Sequence, residues 1–176
     1  MATVVSRTSQ DAVRDFPSPT DDKIHLTLSV VVVTTHGVGE LSALNGVSGS
    51  MSERIKVIHV VGQTTRAMQK NNMMIHHSIG TKPDHQVYNR ASKELRVTAA
   101  ELWDIETAPM EIDRVIRECF VKSGPVYIFV PLDLSSEKVS KSLLDTPIDL
   151  KPEVDRAAVD EAVKAVVDAV ADAKRT

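Results

Sequence analysis

Four consecutive valines, Val30–Val33, lie within the stretch Leu26–Thr34, bounded by polar residues on either side. A β-branched run without polar alternation suits a strand buried on both faces, as in a parallel sheet covered by helices. The chain then alternates. Gly37-Val38-Gly39 turns it into Glu40–Glu53, where Leu41, Leu44 and Val47 recur at near-helical spacing. Lys56–Val61 reads as a second strand, ended by Gly62, and a helix follows from about Thr65, with a loop over Ser78–His85. Ala108–Lys122 sets Ile112, Val115, Ile116 and Cys119 on one helical face, and Val126–Val130 is a third strand closed by Pro131. Glu153–Lys174 places Val159, Val163, Val166 and Val170 on one stripe, an amphipathic helix. Strands separated by helices predict an α/β fold, a mainly parallel sheet flanked by helices.

Length and charge bound what such a fold can do. A chain of 176 residues is of single-domain size. Residues 1–23 carry Pro17, Pro19 and the adjacent acids Asp21 and Asp22 with no apolar run, so this segment is expected to be disordered, with order from Ile24. Twenty-one Lys+Arg against 24 Asp+Glu leave a net charge of −3, and no basic excess exists to bind nucleic acid. The longest apolar run is far below the ~20 residues a membrane helix needs, so no membrane partner is expected. Cys119 is alone, which excludes an intrachain disulfide and fits the reducing cytoplasm.

Three local features carry candidate chemistry. The turn Thr34-Thr-His-Gly-Val-Gly39 joins a strand to a helix, where backbone N–H groups could hold an anion. A dinucleotide fingerprint would need a third glycine where Ser42 stands and an acid after the next strand, which ends Val60-Val61-Gly62-Gln63. Next, Gly39, Ala43, Gly46 and Ser50 form one small-residue face on the following helix. Each interior glycine costs a helix about 1 kcal/mol relative to alanine, so close approach of another helix or subunit is expected. Finally, His76 and His77 are adjacent, point in different directions and have no further ligand at metal spacing, so no metal site is expected. They read as one packed and one exposed imidazole, or as proton-transfer groups. Trp103 and Met73-Met74 read as core filler.

Several ordered blocks carry a resemblance. Thr34-Thr-His-Gly-Val-Gly-Glu-Leu-Ser-Ala-Leu-Asn-Gly46, His59-Val-Val-Gly-Gln63, Ile75-His-His-Ser-Ile-Gly80, Thr107-Ala-Pro-Met-Glu-Ile-Asp-Arg114, Gly124-Pro-Val-Tyr-Ile-Phe-Val-Pro131 and Thr146-Pro-Ile-Asp149 follow one another along the chain. Together they resemble thiamine-diphosphate-dependent pyruvate decarboxylases of the fungal type. The resemblance implies that residues 24–150 are an incomplete N-terminal, pyrimidine-binding domain, and that 151–176 is a helix leading into a missing middle domain. It implies that Gly37, Val38 and Gly39 form the cofactor-binding turn, with Val38 against the aminopyrimidine ring. It assigns His76 and His77 to proton handling at the active site, and Glu53 to a substrate-activation route, with Arg54 where a histidine is usual. The implied activity is the non-oxidative decarboxylation of a 2-oxo acid, pyruvate, by a carboxy-lyase using thiamine diphosphate and Mg²⁺ as a homo-oligomer.

The departures are equally specific. The family's upstream Gly-Asp-Phe/Tyr-Asn and Asn-Glu-Leu-Asn-Ala motifs have no counterpart in Met1–Lys23, and the second supplies the glutamate that activates the cofactor's ring. Gly80-Thr-Lys-Pro-Asp-His85 replaces the usual Gly-Asn-Gly-Asp-Phe. No Gly-Asp-Gly motif is present to bind metal and diphosphate. The expectation is a fragment truncated at both ends and inactive alone. The alternative is a catalytically silent module that pairs with full-length decarboxylase subunits.

Overall fold

The computed structural model describes residues 3–5, 29–75, 77–151 and 153–173. The central pairing is between β3 (Val57–Gln63) and β5 (Val126–Pro131), which run parallel with Ile58 opposite Val126 and Gln63 opposite Pro131. On one side of them β2 (Val30–Thr35) pairs parallel to β3, and on the other β4 (Thr98–Glu101) pairs parallel to β5. An antiparallel edge strand, β1 (Thr3–Val5), completes the order β1-β2-β3-β5-β4. The expected mainly parallel sheet is therefore present. Thr3–Val5 fall within the segment expected to lack structure, while residues 6–28 lie outside the described residues.

Alternation along β5 separates two cores, because successive side chains leave a strand on opposite faces. Val126 and Ile128 face α4 (Ala108–Lys122) and pack with Val115, Cys119, Ala100 and Leu102. Tyr127 and Phe129 face the other way and pack with Val61 and with Val47 of α1 (Val38–Ser52). Cys119 is fully buried, with its sulfur 3.9 Å from the Val57 carbonyl oxygen, and burial pushes its thiol up to about 11.

Four expectations need correction. First, among the described residues β2 is covered on one face only: Val31 and Val33 are 39% and 44% exposed, because α4 packs chiefly over β5, β4 and β3. Second, only part of the small-residue face of α1 is closely approached by the described residues of this chain. A Cβ on Gly39 would lie 2.6 Å from the Thr35 methyl carbon, whereas a Cβ on Gly46 would meet nothing within 4 Å. The open part of that face borders a groove of about 450 Å³, lined among others by Ala43, Gly46, Val30 and Val32. Third, Trp103, Met73 and Met74 are exposed rather than core. Fourth, the helix after Thr65 is short: α2 spans Arg66–Lys70, capped by the Thr65 hydroxyl accepting from the Met68 N–H at 3.2 Å.

A short helix, α3 (Val87–Ala91), and β4 were not anticipated. The C-terminal helix α5 (Arg156–Ala173) starts at Asp155, whose carboxylate accepts from the Ala157 and Ala158 amides, and it contains no buried residue. Its valine stripe is 46–63% exposed at Val159, Val163, Val166 and Val170. Core and stripe should therefore respond differently to truncation. Phe129→Ala is expected to cost about 3–5 kcal/mol in urea unfolding, and Val163→Ala no more than about 0.5 kcal/mol; equal losses would mean that α5 is part of the cooperative core.

Candidate functional site

Parallel strands end together, and ligands of open α/β sheets bind beyond those carboxyl ends. Here the ends of β2, β3 and β5 open into a pocket of about 490 Å³ whose wall includes Thr35, Gly62, Gln63 and Val130. Val38, 44% exposed, forms part of that wall, and so does His77. Val38 of the candidate turn and His77 thus share one pocket on the same side of the sheet. His76 lies outside the described residues. Glu53 stands at the far end of α1, as its C-cap, exposed, roughly 20 Å from the Gly37 turn at 1.5 Å per residue. The structure does not bring it to the pocket.

The turn itself depends on glycine. Gly37 has φ +73° and ψ −114°, a region L residues rarely enter, and the Tyr88 ring lies 3.5 Å from where its Cβ would be. The Gly37 N–H donates to Glu40 Oε1 at 3.0 Å, and the Leu41 N–H donates to the Gly37 carbonyl at 3.0 Å, so strand end and helix start are tied. The Gly37 amide, a donor at the helix start that would otherwise lack a partner, is thereby engaged, and the Leu41 bond is the first of the helix's own.

Behind the turn lies a polar layer that sequence reasoning did not identify. Glu40 is 2% exposed. Burial raises its carboxyl from the ordinary value to about 7, against the opposing pull of the Gly37 N–H and of Arg96. His36 Nδ1 lies 3.7 Å from Glu40 Oε1, and burial, then His85, lowers the His36 imidazole to about 4. Charge is disfavoured on both, so from about pH 4 to about pH 7 the two form a neutral pair rather than an ion pair. The His36 ring stacks on His85 with centroids 5.4 Å apart and meets Tyr88 edge-on at 4.8 Å. His85 is fixed: its Nε2 is 2.9 Å from the Met73 carbonyl oxygen and its Nδ1 is 2.8 Å from the Thr64 hydroxyl. A carbonyl only accepts, so His85 Nε2–H donates to Met73, and the Thr64 hydroxyl holds the other nitrogen.

Deeper in the layer, the Arg96 guanidinium lies 5.2 Å from the Tyr127 ring centre and 5.3 Å from that of Phe129. It donates to Ser92 Oγ at 2.8 Å and to Asn89 Oδ1 at 2.6 Å. Thr34 Oγ1 lies 2.9 Å from Nε2 of the fully buried His59, whose imidazole burial lowers to about 4. A glutamate three residues past the helix-starting glycine, Gly37-x-x-Glu40, was the signal for this layer, since that position commonly reaches back to a free amide.

These shifts have opposite signs in stability. His36 and His59, lowered from 6.5 to about 4, leave the unfolded chain binding more protons in that window, so stability rises with pH there. Glu40, raised from 4.5 to about 7, makes the folded chain bind more protons, so its contribution falls as pH rises to about 7. Two groups outweigh one. The urea midpoint is expected to climb from pH 4 to about 6.5 and to decline between about 6.5 and 7.5, the decline disappearing in Glu40→Gln; a midpoint that keeps rising through pH 7.5 would contradict this.

The pocket and its turn can be compared with known proteins. Residues 26–88 match the family model described as thiamine pyrophosphate enzyme, N-terminal TPP binding domain. The chain is 45% identical over 145 residues to the pyruvate decarboxylase of Kluyveromyces marxianus, covering 81% of this chain and 25% of that protein. It is 44% identical over 145 residues to pyruvate decarboxylase isozyme 2 of Saccharomyces cerevisiae, again over 81% and 25%. To the pyruvate decarboxylase of Aspergillus fumigatus it is 38% identical over 138 residues, 76% of this chain and 24% of that one. The chain thus spans about a quarter of the length of the curated relatives it matches. With a parallel α/β sheet that ends in a glycine-turn pocket, and with these identities, the chain carries the N-terminal domain of the thiamine-pyrophosphate-dependent pyruvate decarboxylase family.

Proposed function

We propose that this chain is the ring-binding half of a thiamine-diphosphate site belonging to a cytoplasmic 2-oxo-acid decarboxylase, acting on pyruvate with Mg²⁺ when complete, and that the chain alone is inactive. The observation that carries the reading is the shared pocket of Val38 and His77 at the strand carboxyl ends. Its walls suit one end of the cofactor. Val38, Met68, Ile75, Val130 and Leu132 offer apolar surface to an aromatic ring, and Gln63 and Thr64 offer polar groups at its edge. The other end does not fit: among the described residues no lysine, arginine or carboxylate lines this pocket, and no group of three His, Cys, Asp or Glu could hold a metal. Diphosphate and Mg²⁺ require a second domain.

When bound, thiamine diphosphate supplies a carbon nucleophile for the 2-oxo carbon and a sink for the electrons released with CO₂. The residues of this chain contribute binding and proton handling. Val38 packs on the ring while Gly37 and Gly39 let the backbone approach, and His77, with His76, holds protons beside the substrate. Ring packing on Val38 is worth about 1–2 kcal/mol, whereas micromolar affinity needs about 8 kcal/mol. Calorimetry of the purified chain with thiamine diphosphate and Mg²⁺ is expected to show no binding tighter than millimolar, and pyruvate should yield no acetaldehyde. Micromolar affinity or turnover would overturn the proposal.

A second reading draws support from α5. The exposed valine stripe and the open part of the α1 face suit a silent module that docks on full-length decarboxylase subunits or on its own copy. Light scattering after size exclusion, with the chain alone and mixed with a full-length pyruvate decarboxylase, tests it. The second reading predicts a stable complex in one of the two samples. The first predicts a monomer in both.

A further inference from the structure

We propose that His36 and Glu40 form a proton-sharing dyad on the pocket wall. Through it the Nε2 edge of His36 faces a bound small molecule as a hydrogen-bond donor when the dyad holds its proton, and as an acceptor when it does not. This assignment stands apart from the ring-binding reading, since it concerns the pocket wall whatever molecule occupies it.

The geometry argues it. His36 lines the pocket, and its Nδ1 is buried, turned toward Glu40 and without a hydrogen-bond partner. The opposite ring nitrogen, Nε2, is therefore the one that can meet a ligand. Glu40 Oε2 is likewise buried without a partner, while Oε1 accepts the Gly37 N–H. The gap from Oε1 to Nδ1 is 3.7 Å, which a small side-chain torsion closes, and such contacts commonly tighten on ligand binding. A neutral Glu40 has a proton to donate and a bare Nδ1 as acceptor. That arrangement places the His36 proton on Nε2, facing the pocket.

The deprotonated state follows by moving protons alone. The Glu40 proton passes to Nδ1, which then donates to the carboxylate. The Nε2 proton leaves to the ligand or to water, so one proton is released and no electrons move. The ionised carboxylate retains the Gly37 amide and gains the Nδ1–H. Other charged and titratable groups face the pair without competing for its proton. His85, stacked on His36, has both nitrogens occupied by Thr64 and Met73. Tyr88 meets the His36 ring edge-on and its hydroxyl donates to the His77 carbonyl. Arg96 is tied to Ser92 and Asn89 and lies within electrostatic reach of Glu40, Glu101 and Tyr127. His77 lines the same pocket, its carbonyl held by the Tyr88 hydroxyl. The ligand class is a small molecule with a carboxylate or carbonyl oxygen that accepts from Nε2–H, bound more weakly once that hydrogen is gone.

Long-range ¹H–¹⁵N correlation spectra of the full chain, recorded from pH 5.5 to 8.5, read the His36 tautomer directly. Conversion from the Nε2–H to the Nδ1–H form with a midpoint near 7 is expected. In Glu40→Gln no carboxylate forms to accept from Nδ1–H, so the Nε2–H form should persist across the range. Acetate, as a carboxylate probe, should bind the wild-type pocket at least threefold more weakly at pH 8.5 than at pH 5.5, with no such change in Glu40→Gln. A single tautomer throughout in the wild type, conversion of His36 to imidazolium in this range, or an unchanged transition in Glu40→Gln overturns the proposal. Should Glu40→Gln fail to fold, the side-chain carboxyl ¹³C shift of wild-type Glu40 decides: a midpoint coincident with the tautomer change supports the dyad, and one at the ordinary carboxylate value overturns it.

Discussion

The parallel register between β3 and β5 fixes everything that follows. Pairing Ile58 with Val126 and Gln63 with Pro131 puts both strands' carboxyl ends at one level, and β2 joins them with Thr35 beside Gly62. A slip of one residue would exchange the faces of every side chain, sending Tyr127 and Phe129 into the α4 layer and Val126 and Ile128 under α1. The volumes of the two layers forbid it. The α4 side is filled by small and branched residues, Ala100, Val115 and Cys119, whereas the α1 side holds two aromatic rings with a guanidinium over them. Position of the pocket and identity of the cores are thus one constraint.

The α1 side is chemically unlike an ordinary core. Glu40, His59, Gln63, Gln69, His85, Asn89 and Ser92 are all buried there or at its margin, and most are held in chains of side-chain hydrogen bonds. Gln69 Nε2 donates to the Thr64 carbonyl at 2.9 Å, Gln86 Nε2 donates to Gln69 Oε1 at 2.8 Å, and Asn89 Nδ2 donates to Gln86 Oε1 at 2.9 Å. Such networks specify one arrangement because a half-satisfied member is costly. The network joins the loop after β3 to α3, so the pocket wall is held from behind by polar contacts rather than by apolar packing.

The legible and illegible parts of the chain divide along physical lines. The valine run, the helical period of Ala108–Lys122 and the closing Pro131 are strong local signals: the helix has the predicted bounds and β5 runs one residue further, while β2 begins at Val30 rather than Leu26. The ordered sequence blocks pointed to the decarboxylase family, which the identities bear out. β4 was illegible because Thr98-Ala-Ala-Glu101 has little strand preference of its own. It is held by pairing with β5 and by Arg114, which donates to Thr98 Oγ1 at 3.1 Å and to the Ala99 carbonyl at 2.9 Å. Likewise Glu40 shares a helical face with Leu44 and Val47, at i, i+4 and i+7, but a carboxylate argues for solvent, so its burial was not legible. Burial of Thr34, His59 and Gln63 depends on which strand face α1 covers, a tertiary fact absent from any short window.

Cys119 makes the protein its own gauge of opening. It is the only thiol of the chain, fully buried between α4 and β3, and its raised ionisation leaves almost no thiolate at neutral pH. Chemistry at that sulfur therefore waits until α4 lifts from the sheet. The pace of thiol modification measures how often the α4 layer parts, while the pocket beyond the strands' carboxyl ends can change occupant without exposing it.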